Sequence, residues 1–349
     1  MSHPAITVLM PVYNGERYVA SAVKSILGQT FQDFEFLIIN DGSTDSSMDI
    51  IREFGDPRIR VIDTENQGVA AALHLGIEKA KGEYIARMDA DDESLPDRLE
   101  IEKRCLDEHP GIAVVHGNVD YINAEGSPVF MEKDEGYSNV DTKWLLNWRN
   151  VLIHSTVMLR AEILKEHALN YRVEMNRAED FDLWNRIAQI GDFMYLPDVL
   201  IRYRVHSENV SNSGPVDLQF DAQSRVTVDN FRRYGVDLSR EKAQELVVIS
   251  GAARINPITY CYKNLQGSMH RLVGDFANNF CRAHSLDTRV LAGIQAQQYL
   301  RWARYMLNTS RSYTCLLYTS PSPRDNIANR GCRLLLGKRG GGGGGGGGG

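Results

Sequence analysis

Short apolar runs alternate with helical periodicity through the first 116 residues. Ile6-Thr7-Val8-Leu9-Met10 reads as a buried strand that stops at Pro11, and residues 15–29 then repeat apolar positions at helical spacing (Tyr18/Val19, Ala22/Val23, Ile26/Leu27). Phe34 to Ile39 predicts the next strand, Asp49 to Phe54 a helix and Ile59 to Ile62 a strand. Val69 to Lys81 predicts a helix that Gly82 closes as its C-cap. Tyr84 to Met88 is the following strand, Pro96 opens a helix, and Ile112 to His116 is a strand again. Residues 117–206 look less regular, although Glu179-Asp180-Phe181-Asp182-Leu183-Trp184 opens a helix. From about 215 to 308 the pattern is helical and amphipathic, without a chemistry-bearing motif.

Strand–helix alternation with continuously apolar strands implies a mostly parallel sheet covered by helices. Ligands of such sheets bind at the carboxyl ends of the strands. The polar segments 11–15, 40–45 and 89–92 each follow a strand, so they are expected to converge on one edge although they lie far apart in sequence.

Composition narrows the function classes. The chain has 349 residues, 43% apolar and 24% charged, with a net charge of -6, which excludes global disorder. An acidic chain without a Lys/Arg run argues against a nucleic-acid partner. No uninterrupted stretch of about 18 apolar residues reads as a membrane span. Met1-Ser2-His3-Pro4 carries no signal-peptide pattern, so a cytoplasmic location is expected.

The last 35 residues change character. Cys315 to Asp325 resembles one reading frame of a sequencing adaptor, Cys332-Arg333-Leu334-Leu335-Leu336 resembles the primer that follows it, and Gly340 to Gly349 resembles translated poly-G. The alternative is a flexible Gly-rich tail. The native C-terminus is expected to be missing. Setting this segment aside removes five of 39 basic and one of 45 acidic residues; the remaining 34 and 44 give a net charge of -10. Cys105, Cys261 and Cys281 then remain, without metal-type spacing, and read as reduced thiols.

The strongest chemical signal is Asp89-Ala90-Asp91-Asp92. Carboxylates crowded after a buried strand repel one another, and hard oxygen ligands suit Mg²⁺ or Mn²⁺ held together with substrate phosphates. The plainer reading is a solvated turn before the helix at Pro96. Asn40-Asp41-Gly42-Ser43 adds a second acidic group at the same edge, and Pro11-Val12-Tyr13-Asn14-Gly15 adds an aromatic face for a base; each is also a common turn. No Gly-x-Gly-x-x-Gly, P-loop or Gly-x-Ser-x-Gly motif is present, which disfavours dehydrogenases, P-loop NTPases and α/β-hydrolases.

Taken together, these segments resemble the family-two, GT-A-fold inverting glycosyltransferases over about residues 4–210. The resemblance rests on Pro11 to Asn14, Ser25 to Thr30, Asn40 to Asp45, Asn66-Gln67-Gly68, Gly82 to Asp92, Glu179-Asp180 and Tyr203 to His206. It implies an α/β, GT-A-type nucleotide-binding sheet flanked by helices, with a donor half (1–116), an acceptor half (117–212), a helical C-terminal region (213–314) and the tail 315–349. It also implies site roles. Pro11 and Tyr13 would line the base pocket, and Asp41 would accept a hydrogen bond from the base. Asn14, Glu16, Asn66, Gly68, Arg87 and Ala90 would complete the donor site. Asp91 would be the main metal ligand, with Asp89 nearer the donor and His206 a further ligand; a lone histidine is also an ordinary surface or core residue. Asp180 would be the general base beside Glu179, where the plainer reading is acidic charge at a helix start. Trp184 reads as core rather than a sugar platform. His154 lies in a family-typical segment, and Asn40 and His74 depart from common family choices.

The implied reaction is metal-dependent inverting transfer of a sugar from a nucleoside-diphosphate donor, UDP being the favoured carrier, to a glycan or lipid-linked acceptor in cell-surface polysaccharide or lipopolysaccharide synthesis. Mn²⁺ or Mg²⁺ would be the cofactor. Peripheral attachment at the inner membrane face is left open. The alternatives are a non-catalytic nucleotide-sugar binding scaffold, which would not need Glu179-Asp180, and a nucleotidyltransferase, whose basic Gly-rich loop is missing at Tyr13 to Arg17.

Overall fold

A computed structural model describes residues 3–130, 136–207, 216–249 and 268–285. The remaining residues, including 315–349 with their adaptor-like pattern and the expected helical segments at 250–267 and 286–308, lie outside the described residues. The chain divides into two compact units, Met1–Asn230 and Phe231–Gly349.

The first unit is built on one eight-stranded sheet. Its strands are β1 (Ile6–Val12), β2 (Phe34–Asp41), β3 (Ile59–Thr64), β4 (Tyr84–Arg87), β5 (Glu93–Ser94), β6 (Ile112–Ile122), β7 (Met158–Arg160) and β8 (Asp192–Arg204), in the order β3-β2-β1-β4-β7-β6-β8-β5. Four of the seven pairings are parallel, so the sheet is mostly parallel as expected, with β7 running antiparallel between β4 and β6.

One sheet face packs on α1 (Val19–Leu27), α2 (Ser47–Glu53) and α4 (Arg98–Glu108) through Val8, Met10, Phe36, Ile38, Val23, Ile26, Ile51 and Leu99. The other carries α3 (Val69–Lys79), α6 (Ala161–Glu166) and α7 (Glu179–Ile187), where Leu9, Ile39 and Leu159 meet Leu73, Leu164 and Trp184. Burial on both faces explains why these strands are apolar without alternation. Trp184 is fully buried, so it is core. Helix α5 (Asn139–Leu145) is capped by the Ser138 side chain, which accepts from the Asp141 N–H.

Two expectations are corrected. Residues 117–206 hold the second half of β6, which is mostly buried, and all of the half-buried β8; the pairing of the two strands is irregular in register, which blurs their alternation. Gly82 is not the C-cap of α3, which ends at an extended Ala80. Gly82 is instead where the chain crosses β1: a Cβ there would overlap the Thr7 nitrogen and lie 2.6 Å from the Ile6 carbonyl carbon. Both obstacles are backbone, so Gly82→Ala is expected to destabilise the unit by about 3 kcal/mol. A urea midpoint equal to that of the unaltered chain would contradict this.

The parallel register levels the strand ends. Val12 sits opposite Asn40, Asp41 opposite Thr64, and Leu9 opposite Arg87. The loops after β1, β2 and β4 therefore emerge at one edge, as anticipated.

The second unit contains the end of α8 (Val216–Arg233), α9 (Arg240–Ile249) and α10 (Ser268–Ala283). Phe231 stacks on Phe276 at 4.1 Å, and the Asn279 carboxamide donates to the Tyr234 carbonyl. Among the described residues, no helix is long and apolar enough to cross a membrane.

Candidate active site

The loops after β1 and β2 are tied to one another by side-chain hydrogen bonds. Asn14, in the left-handed region at φ 48°, receives a bond from the Thr44 N–H (2.8 Å) and donates its own N–H to Ser43 Oγ (3.1 Å). Glu16 N–H donates to Asp45, and Glu16 Oε2 accepts from the Ser46 N–H. Pro11 is partly buried, whereas Tyr13 stands 53% exposed on this edge, an unusual position for an aromatic ring without a ligand. Asp41 is buried; its two carboxylate oxygens accept from the N–H groups of Gln67 (2.8 Å) and Gly68 (2.9 Å). That pairing holds the Asn66–Gly68 loop, with Gly68 at φ 91°, against the end of β2.

The acidic cluster follows β4. Asp89, Asp91 and Asp92 each offer a carboxylate oxygen within 4.8 Å of the others, and Ala90 between them is partly buried. Burial and the neighbouring Asp91 raise the Asp89 carboxyl above its usual range; burial, Asp91 and Asp89 raise Asp92 well above it. Arg87, 4% exposed, forms an ion pair with Asp89; burial opposes its charge, but Asp89 holds it protonated. His206 Nε2 lies 2.9 Å from Asp91 Oδ2, and its ring packs on Tyr18 with centroids 4.8 Å apart.

Two arginines that sequence reasoning passed over organise this loop. Arg204, at the end of β8, donates its N–H to Asp92 Oδ1 (2.8 Å), its Nε–H to the Asp91 carbonyl (2.8 Å) and an Nη2–H to Glu93 (2.7 Å). Fully buried Arg98 on α4 bonds the Arg87 carbonyl at 2.8 Å and pairs with Glu102. Arg204 lies in the Tyr203 to His206 segment, but nothing in the local pattern shows its partners 111 to 113 residues away.

The acceptor side is built at the start of α7. Asp180 Oδ1 accepts from the Phe181 N–H (2.6 Å) and Oδ2 from the Asn150 carboxamide (2.7 Å). Just before it, Arg177 is held at φ 77°, a left-handed conformation that costs a non-glycine residue about 1–3 kcal/mol. Burial raises the Asp180 carboxyl, opposed by the Phe181 N–H, Arg87 and Asn150, while Asp89 adds to the rise. Burial, then the Asp180 charge, push Glu179 up to about 7.

Behind these carboxyls, His154 Nε2 shares a 2.8 Å hydrogen bond with the buried Tyr171 hydroxyl, and its ring edge meets Trp184. Burial, then the nearby Arg87 charge, keep His154 neutral, well below its ordinary value. His74 donates from Nδ1 to the Tyr171 carbonyl at 2.7 Å, so its role is to fix that segment.

The rise at Glu179 has a stability consequence. The folded chain keeps a proton that the unfolded chain releases near its ordinary carboxylate value, so stability falls as pH rises toward 7 and does not recover above it. Glu179→Gln, which cannot ionise, is expected to melt several degrees higher than the unaltered chain at pH 8 and nearly equally at pH 5. The ceiling is about 1.4 kcal/mol per pH unit of rise. Equal melting differences at both pH values would sink the assignment.

Residues 7–168 match the glycosyl transferase family 2 profile. The chain is 30% identical over 279 residues to an uncharacterized glycosyltransferase of Haemophilus influenzae, covering 73% of this chain and 83% of the relative. It is 27% identical over 242 residues to chondroitin synthase of Escherichia coli, spanning 67% of this chain and 33% of that one. Among solved structures, S. aureus TarS 1–349 in complex with UDP-GlcNAc superposes with a TM-score of 0.55 at 18% identity, covering 88% and 93% of the two chains. The mannosyltransferase PcManGT of Pyrobaculum calidifontis, in complex with GDP-Man and Mn²⁺, gives 0.50 at 16% identity, covering 97% and 89%. With the polar loops of a GT-A sheet gathered at one edge and a relative matched over most of its length, the chain belongs to glycosyl transferase family 2 and is a glycosyltransferase.

Proposed function

We propose that this glycosyltransferase moves a sugar from a nucleoside-diphosphate donor to a hydroxyl acceptor in a single displacement that inverts the anomeric carbon. One observation carries the reading. The acidic cluster after β4 and the Asp180 pair at α7 lie about 90 residues apart in sequence, yet Asp89 and Arg87 both act electrostatically on Asp180. The acidic cluster and the candidate base therefore lie within electrostatic reach of each other, an arrangement that a binding scaffold would not need.

Asp89, Asp91 and Asp92 fit a hard divalent cation: three oxygen donors converge, and their mutual repulsion is what such an ion offsets. Asp91 and Asp89 would hold Mn²⁺ or Mg²⁺, with His206 beside Asp91. When bound, the ion supplies charge to stabilise the departing diphosphate. Pro11 and Tyr13 would face the base, with Asn14, Glu16, Asn66, Gly68 and Ala90 around the donor. Asp41, committed to the Gln67 and Gly68 N–H groups, would act on the base through its remaining lone pairs or through that loop.

Asp180 takes the proton from the acceptor hydroxyl as that oxygen bonds to the anomeric carbon, and the carbon–oxygen bond to the diphosphate breaks on the opposite face. Asn150 and the Phe181 N–H hold the carboxylate in place for this transfer. Arg87 keeps its positive charge between the two carboxylate sites. UDP is the carrier we favour, and a glycan or lipid-linked acceptor in cell-surface polysaccharide synthesis at the cytoplasmic side is the setting. The TarS and PcManGT complexes, with UDP-GlcNAc and GDP-Man, support a nucleotide-sugar donor.

Thermal shift of the full chain with UDP, GDP, dTDP and CDP, each with Mn²⁺ and then EDTA, tests the donor site. One nucleotide is expected to raise the melting temperature only with Mn²⁺, by an amount equivalent to about 2.7 kcal/mol at a hundredfold excess over its dissociation constant. No rise with any nucleotide would overturn the reading.

A further inference from the structure

Tyr18 sits at the N-cap of α1, beside Val19 of the apolar stripe, a place where an aromatic ring is ordinarily core. It is 7% exposed, yet it belongs to neither apolar cluster of the sheet. Its ring packs on two polar side chains delivered by the end of β8. The Arg204 guanidinium carbon lies 4.8 Å from the ring centroid, and the His206 imidazole centroid also lies 4.8 Å away. The Tyr18 hydroxyl has no hydrogen-bond partner among the described residues, so the contacts on view are those of the ring.

Both side chains act on the acidic loop. The Arg204 guanidinium donates to the Asp91 carbonyl and to Glu93, and its Nη1–H also reaches the carbonyls of Asn123 (3.2 Å) and Ala124 (3.4 Å). Guanidinium N–H groups point outward in the plane of the group, so these bonds leave its faces for packing. His206 meets Asp91 Oδ2 through Nε2. The backbone that carries the ring is itself fixed. The Tyr18 N–H donates to the Gly15 carbonyl (3.0 Å), and the Tyr18 carbonyl accepts from the Ala22 N–H (3.2 Å) and the Ser21 hydroxyl (2.8 Å). A long side chain seated on a fixed aromatic face gives up its rotamer freedom during folding, and that freedom is no longer lost when a ligand arrives.

We infer that Tyr18 is a positioning residue of the cation site. By packing on Arg204 and His206 it holds both against the Asp89–Asp92 loop, so that the carboxylate oxygens are placed for a divalent cation. This role rests on the donor-site reading above and adds to it a residue that acts through two others.

EPR of Mn²⁺ titrated into the full chain with each of UDP, GDP, dTDP and CDP tests it, since the signal of free Mn²⁺ disappears as the ion is bound. Tyr18→Leu, which keeps an apolar side chain but no aromatic face, should weaken Mn²⁺ binding about tenfold, the loss of one desolvated cation–π contact and one aromatic pair. Tyr18→Phe keeps the face and should stay within about twofold. Phe34→Leu controls for lost packing, because it removes a buried ring that packs on a different arginine, Arg58 (4.6 Å), at the start of β2. It should lower the melting temperature and leave Mn²⁺ affinity within about twofold. Coupling gives a further reading. Arg204→Lys should itself weaken Mn²⁺ binding, and adding Tyr18→Leu to it should cost no more than about a further threefold, because the guanidinium that the ring holds is already gone.

Tyr18→Met, which also fills the space without an aromatic face, serves if Tyr18→Leu does not fold. Unchanged Mn²⁺ affinity in Tyr18→Leu, an equal loss in Tyr18→Phe or Phe34→Leu, or the full tenfold loss on the Arg204→Lys background would each overturn the positioning role. The unaltered chain reads the donor site separately. Failure to bind Mn²⁺ with any of the nucleotides would sink the donor reading and the role of Tyr18 together, whereas binding that Tyr18→Leu leaves untouched would sink the role of Tyr18 alone.

Discussion

Asp180→Asn is expected to lower the rate of sugar transfer about 100- to 10,000-fold, the range contributed by a positioned general base. The geometry makes the test clean. Asparagine keeps the size of the side chain and an oxygen for the Phe181 N–H, while the Asn150 carboxamide can rotate to meet the new amide. Donor binding, read by the Mn²⁺-dependent shift with nucleotide, should stay close to that of the unaltered chain. The pH profile gives a second reading. Because burial holds Asp180 above the usual carboxylate range, the unaltered chain should lose turnover on the acid side at a pH higher than a free carboxyl would give. That limb should disappear in Asp180→Asn. Transfer at the full rate would remove Asp180 from the base role.

Asp91→Ala is expected to abolish the Mn²⁺-dependent nucleotide shift and to slow transfer about 1,000-fold, the equivalent of roughly 4 kcal/mol of lost charge stabilisation. Its effect on the fold should have the opposite sign. The Asp91 charge raises both Asp89 and Asp92, so removing it relieves repulsion inside the cluster. The variant without ligand should therefore melt no lower than the unaltered chain. Retained metal-dependent turnover would overturn the ligand role. Loss of binding accompanied by a fall in melting temperature of several degrees would instead make Asp91 a structural carboxylate.

The donor edge was legible because its signals are local. A strand buried on both faces is a run of apolar residues, and the polar segment after it marks the carboxyl end, so residues 11–15, 40–45 and 89–92 could be placed together from the pattern alone. Glu179 and Asp180 were legible in the same way, as acidic residues opening a helix. What escaped is non-local. β7 is three residues long and its antiparallel place between β4 and β6 leaves no trace in its pattern. Arg204, Asn150 and Tyr171 act through partners 17 to 113 residues away, and an arginine or asparagine in a loop looks the same whether it holds a carboxylate or faces water. Gly82 misled because a glycine after a helix usually ends it, whereas here the missing side chain is needed for a neighbouring strand.

The strand order also sets a timetable for synthesis. β4 is complete at Arg87, but the strand that covers its outer edge begins at Met158, and β5, made soon after β4, waits for β8 at the far side of the sheet. A ribosome adding about 5–20 residues per second leaves that edge of the nascent chain open for roughly 4–14 seconds. An uncovered parallel edge is a template for pairing with another chain. Slow translation between residues 88 and 158 should therefore favour association of nascent chains, and co-translational chaperones should be most needed in that interval.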